Sequence, residues 1–193
     1  MIHGKRWSRW ALALAGLLLV APPPSSPCHW RTMNEHHRGL ERAYAAAPVT
    51  RWMGTSVTIG DGTATVTLPV RDEFHHFAAA VHGSLYFRAL DDAAFFAASS
   101  RVPDVAVLTS SFDMHLFRPV AGGTLRAEGR VLHQARRVVF AESRLVDDDG
   151  NLLASGTGTF MPTRIPLADL PGYAEAGGDL PDVRDPPTDQ GIA

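Results

Sequence analysis

The sequence has little of several things, and each shortage removes a class of protein. One cysteine, Cys28, in 193 residues leaves no intrachain disulfide framework and no Cys-rich zinc site. Charge of one sign is not in excess: 18 Lys and Arg against 20 Asp and Glu give −2, without the basic surplus of a nucleic-acid binder. The longest apolar run, Trp10 to Ala21, is shorter than the roughly 20 residues of a membrane span. Gly122-Gly123 opens no helix, so no phosphate loop is expected. The nine histidines include no i, i+4 pair with a carboxylate, so no metal ligand set is predicted. Ser84 has no nucleophile-elbow glycines around it. The remainder, 45% hydrophobic and 20% charged, is ordinary globular composition for one domain.

The two ends differ from the middle. Lys5, Arg6 and Arg9 precede the apolar run, and Pro22-Pro23-Pro24 ends it. This layout reads either as a secretory signal or as leader upstream of a true start at Met33. Residues 166–193 are rich in Pro, Gly and Asp, too poor in apolar surface to offset ordering entropy, and read as a disordered or loosely attached tail. The expected division is a leader over 1–32, a domain over 34–165 and that tail.

Within the domain, Leu40, Ala43, Tyr44 and Ala47 recur at helical spacing between Asn34 and Pro48, predicting a first helix. Gly54 to Ile59 and Thr63 to Val70 flank Gly60-Asp61-Gly62 and predict a β-hairpin. His82 to Ser100 is apolar on most of its circumference, a buried helix. Four extended stretches follow, Val105–Arg118, Gly123–His133, Val138–Val146 and Leu152–Met161. In the second, Leu125, Ala127, Gly129 and Val131 alternate with polar residues, the mark of a half-buried strand. Short connections imply an antiparallel sheet, so the fold class is α+β with the sheet wrapped around the buried helix.

Candidate chemistry lies on that helix. Gly83 sits where it begins, so its N–H is one of the unpaired donors of the first turn, at the positive end of the helix dipole. It reads either as an oxyanion donor or as a glycine that only eases the chain into the helix. Asp91 has Phe87, Ala94 and Phe95 as helical neighbours, surroundings that raise a carboxylate pKa and suit a general base; a merely buried, hydrogen-bonded aspartate fits equally. Asp92 has Arg88 one turn back and reads as an ion pair. Nine residues from His82 to Asp91 amount to half a helical turn in excess of whole turns, placing His82 and Asp91 on opposite faces. A site using the Gly83 N–H and the Asp91 carboxylate on one substrate is therefore expected to take them from two copies of the helix, so a dimer is predicted.

Val81-His82-Gly83-Ser84 with Asp91 nine residues after the histidine resembles the His-Gly-Gly…Asp signature of PaaI-like hotdog-fold acyl-CoA thioesterases. Ser110-Ser111-Phe112-Asp113-Met114-His115-Leu116-Phe117-Arg118-Pro119 is similar to that family's next strand. Asp149-Gly150-Asn151-Leu152-Leu153-Ala154 and Thr159-Phe160 resemble its closing hairpin. The similarity runs in order through about residues 35–162.

The resemblance implies a hotdog fold, a curved antiparallel sheet around one long helix, assembled as a homodimer or homotetramer. It implies hydrolysis of an acyl-CoA or acyl-carrier-protein thioester at a subunit interface, with no metal and no cofactor. By position, Gly83 polarises the thioester carbonyl, Asp91 of the partner activates water or attacks directly, and Ser111 orients the water or the carboxylate. His82 shapes the start of the helix and bonds near the thioester. Ser84 stands for the family's second glycine and His76 for its frequent asparagine, and both are expected to bind substrate. Two alternatives stand beside hydrolysis: a non-catalytic acyl-CoA-binding hotdog protein, and a hotdog hydratase or dehydratase. CoA thioesters are intracellular metabolites, so the expected location is the cytoplasm, with export through residues 1–21 as the alternative.

Overall fold

The computed structural model describes residues 27–174. The leader up to residue 26, with its signal-like run, and the tail from 175 lie outside the described residues.

Helix α1 spans Pro27–Ala46 and helix α2 spans Pro48–Met53. Pro48 was expected only to stop a helix. It also starts one, because its fixed φ and missing N–H suit a first helical turn. Strands β1 (Ser56–Gly60) and β2 (Thr63–Pro69) form the expected hairpin, with Gly62 at φ 71° in the turn. After a 3₁₀ turn at Asp72–Phe74 comes α3 (Gly83–Ser99). Strands β3 (Val105–Leu116), β4 (Thr124–Ala135), β5 (Val138–Val146) and β6 (Leu152–Pro166) complete the domain.

All strand pairings are antiparallel, and the six-stranded sheet has the order β1-β2-β4-β5-β6-β3. Helix α3 touches every strand, so the sheet curves around it, the architecture expected of a hotdog fold. The side chains on its sheet side are mostly small: Ala89, Ala93, Ala94 and Ala97 are all but fully buried. Facing them, β4 alternates as expected, with Leu125, Ala127 and Gly129 inward. A Cβ on Gly129 would come within 2.1 Å of the Ala93 carbonyl oxygen. The backbones meet there, which only glycine permits. Leu68, Leu90, Leu125 and Leu145 fill the adjoining core, each contributing about 1.5–3 kcal/mol by burial.

Both domain boundaries need correction. The first helix begins at Pro27, so residues 27–32 of the expected leader are helical. At the other end, residues 167–174 do not hang free. Leu167 is 3% exposed, the Tyr173 hydroxyl bonds His36 Nδ1 at 2.8 Å, and Arg42 Nη2 donates to the Tyr173 carbonyl at 2.8 Å. Leu167, Leu170 and Tyr173, three residues apart in turn, pack on the same core cluster and dock a segment whose composition alone predicted disorder or loose attachment.

Candidate active site

The start of α3 is set by a tight loop. His75 bridges to Val81, His76 N–H donates to the Ala80 carbonyl at 2.9 Å, and Ala79 is held at φ 57°. This delivers His82 in an extended conformation as the N-cap, where its Nδ1 accepts from the Ser84 N–H at 3.2 Å and lies 2.9 Å from Ser84 Oγ. The cap occupies the Ser84 amide. Among the described residues no hydrogen bond takes the Gly83 N–H, and Gly83 lines a cavity of about 260 Å³ with His76, Val81, Tyr86 and Leu116 to Pro119. Gly83 does not adopt a positive φ, and an added Cβ would meet nothing nearer than Leu116 at 3.4 Å. Helix geometry therefore does not demand glycine here.

Asp91 opens elsewhere. It lines a cavity of about 480 Å³ bounded by α1, α3, β3 and the segment after β6. Thr109 Oγ1 donates to Asp91 Oδ1 at 3.1 Å. Burial is the largest influence on the carboxyl and, despite the Thr109 bond, raises its pKa to about 6, with Asp92 adding to the rise and Arg88 opposing it. Such a group is largely ionised at neutral pH yet basic enough to take a proton from water. Asp92 is bound differently. It accepts from Arg88 Nε at 2.5 Å and from the Tyr44 hydroxyl at 2.9 Å. It is a partly buried ion pair in which both donors meet one carboxylate oxygen, Oδ2.

Gly83 and Asp91 line different cavities within one chain, and eight residues of helix separate them by about 12 Å along its axis. His76 sits with Gly83. Its Nδ1 accepts from the Ala78 N–H at 3.0 Å. His82 and Ser84 face a third cavity of about 430 Å³ with Trp52, Glu73, His75 and Arg88. Ser111 is exposed on β3, and the hydroxyl that meets Asp91 within the chain is that of Thr109. The irregular register between Thr109 and Ser111 interrupts the alternation by which a sequence could choose among three consecutive hydroxyl residues. Thr109 and Tyr44 are the residues that sequence reasoning missed. Among the described residues no group of three His, Cys, Asp or Glu side chains could hold a metal, and no helix is long and apolar enough to cross a membrane.

Comparison with known proteins adds the following. Residues 79–154 match the model of the thioesterase superfamily, a stretch holding Gly83, Asp91, Thr109 and Ser111 but not α1, α2 or residues 167–174. A curated protein of Saccharolobus solfataricus, whose name proposes an esterase, is 26% identical over 108 residues, 56% of this chain and 77% of its own. A conserved protein of Pseudomonas aeruginosa superposes with a TM-score of 0.58 at 29% identity, covering 61% of this chain and 94% of its own. A mutant of the phenylacetic acid degradation protein PaaI of Thermus thermophilus gives 0.56 at 28% identity, over 61% of this chain and 100% of its own. The PaaI protein of Escherichia coli gives 0.61 at 23% identity, over 68% and 97%, a likeness of fold.

Proposed function

Taking the chain as a PaaI-like hotdog protein of the thioesterase superfamily, we propose that it hydrolyses acyl thioesters of CoA or a carrier protein at a site shared by two subunits. The observation that carries this reading is Asp91: a carboxylate with its pKa raised to about 6, held by Thr109 in a cavity large enough for an acyl group.

In the proposed reaction the thioester carbonyl accepts from the Gly83 N–H of one subunit, and the Asp91 carboxylate of the other takes a proton from water. The resulting hydroxide adds to the carbonyl carbon, and the tetrahedral oxyanion is stabilised by the same N–H. Collapse breaks the carbon–sulfur bond, and the proton held on Asp91 passes to the departing thiolate. Free acid and thiol result, with nothing consumed but water. His76, beside Gly83, adds a polar wall to the thioester end. His82 acts on the site through the cap that frees the Gly83 amide, and Ser84 supports that cap. Ser111, exposed on the same strand as Thr109, is assigned to the shared site of the assembled dimer.

A second copy also has a surface to meet. β3 is an edge strand that exposes Leu108 and Leu116, with Phe117 just beyond it, and an apolar edge of this kind is usually covered. A homodimer, or a tetramer built from two, is the assembly we assign. The cytoplasm is the proposed location, since CoA thioesters are found there.

The test is thiol release from a panel of acyl-CoA thioesters by wild type and Asp91→Asn. A loss of about 10²–10⁴-fold in kcat is expected for the variant, and the wild-type rate should climb through pH 6 as Asp91 ionises. Unchanged turnover in Asp91→Asn contradicts the assignment. Tight binding of acyl-CoA without thiol release from wild type favours the binding-protein reading, for which the departures at His76 and Ser84 speak.

A further inference from the structure

The cavity that holds Asp91 is longer than one carboxylate requires, and its chemistry changes along its length. Its floor is a single stripe of α3: Arg88, Asp91, Asp92, Phe95, Phe96 and Ser99. Helix α1 forms one wall and runs antiparallel to α3, since the Tyr44 hydroxyl reaches Asp92 while His36 Nε2 lies 2.9 Å from the Ser99 carbonyl oxygen. Strand β3 forms the other wall from Ala106 to Thr109, with Thr109 at Asp91. The end at Arg88, Asp91 and Asp92 is polar. The other end is lined by Leu40, Phe95, Phe96, Ala106 and the docked Leu167 and Leu170.

That far wall is latched from behind. Tyr173 bonds His36 and Arg42, and its ring lies on Gly39, where an added Cβ would come within 2.8 Å of it. A mid-helix glycine costs about 1 kcal/mol of helix stability, and here it makes the seat for the ring. The walls from α1 and residues 167–174 lie outside the stretch that matches the superfamily.

We infer that this groove is the acyl subsite and that it selects linear acyl groups of medium length, with residues 167–174 closing its far end. The inference rests on the hydrolase reading for the placement of the thioester at Asp91. From Asp91 to Ser99 the helix rises about 12 Å, and Thr109 to Ala106 spans about 10 Å of strand. An extended alkyl chain, with bonds of about 1.5 Å at tetrahedral angles, advances about 1.25 Å per carbon. The groove therefore takes about eight to ten carbons before meeting Leu167 and Leu170. Away from Asp91 the lining is apolar, and the far end offers no polar group for a charged tail other than Ser99.

The experiment uses the full chain and two probe sets of saturated chains from two to sixteen carbons: acyl-CoA thioesters for hydrolysis, and hydrolysis-inert S-alkyl-CoA thioethers for calorimetric binding. Binding and kcat/KM are expected to rise about two- to fourfold per methylene to an optimum at eight to ten carbons and to fall beyond it. Ala106→Trp, on the edge strand, should move the optimum to shorter chains. Leu170→Ala and Tyr173→Phe, which thin or unlatch the far wall, should move it to longer ones. Thioesters hydrolysed with no length optimum, or with an optimum that none of the three variants moves, would overturn the inference and leave the hydrolase reading standing. Thioethers bound with the expected optimum but no thioester hydrolysed would do the reverse.

Discussion

The two long faces of α3 solve opposite problems. The face against the sheet is mostly small side chains, Ala89, Ala93, Ala94 and Ala97, pressed so close that Gly129 of β4 cannot carry a Cβ. The face toward α1 carries large and charged ones, Arg88, Asp91, Asp92, Phe95 and Phe96, and keeps an open volume of about 480 Å³. Small residues permit backbone contact and hence a rigid scaffold. Large residues at the same helical spacing hold α1 away and leave room for a ligand. The helix is stable because of the first face, and that stability tolerates a second face holding a carboxylate that disfavours folding.

The comparison breaks most visibly at its closed face. Gly129→Ala should destabilise the fold by about 3 kcal/mol or more, because the obstacle is the Ala93 backbone and α3 must shift; urea unfolding measures it, and a loss below about 1 kcal/mol would show that the contact is loose. Next comes the pair of carboxylates on the open face. Asp92→Asn leaves Arg88 and the Tyr44 hydroxyl without their charged partner, and since Arg88 is partly exposed the expected loss is about 1–3 kcal/mol. In the proposed site Asp92 is structural and Asp91 reacts, so the two substitutions should separate stability from turnover.

Asp91→Asn should show the smallest effect on stability and the opposite sign. The native carboxyl is pushed to about 6, above an ordinary value near 3.8, so its contribution is fully present below about pH 4 and is lost as pH rises through about 6. At pH 7.5 the ionised carboxylate is a burden that asparagine lacks. The Tm of Asp91→Asn should therefore exceed that of wild type by a few degrees at pH 7.5, with the gap closing below pH 4. Equal Tm values at both pH values would mean that Asp91 is better solvated than its surroundings indicate.

How much of this could be read from the chain depends on the distance over which each feature is determined. The hairpin turn at Gly60-Asp61-Gly62, the alternation of β4 and the extent of α3 are local patterns and read directly. The separation of Gly83 and Asp91 by about 12 Å along α3 follows from helical geometry alone. The docked segment after β6 does not: Tyr173 meets His36 across 137 residues, and nothing near Tyr173 signals it. Thr109 is hidden for another reason, an irregular register that breaks the alternation before Ser111. Gly39 looks like a weak point in a helix until the Tyr173 ring is seen on it.

The central claim is that a complete site joins Gly83 of one copy to Asp91 of another, and subunit mixing tests it most directly. Gly83→Pro, which removes the N–H at a first helical position that tolerates proline, and Asp91→Asn should each fold and each be nearly inactive alone. Mixed at equal amounts and allowed to exchange subunits, they should recover about one quarter of wild-type thioesterase activity, since half of the dimers become hybrids and each hybrid carries one intact site of two. No recovery, in a mixture shown by mass spectrometry to contain hybrids, would contradict a shared site.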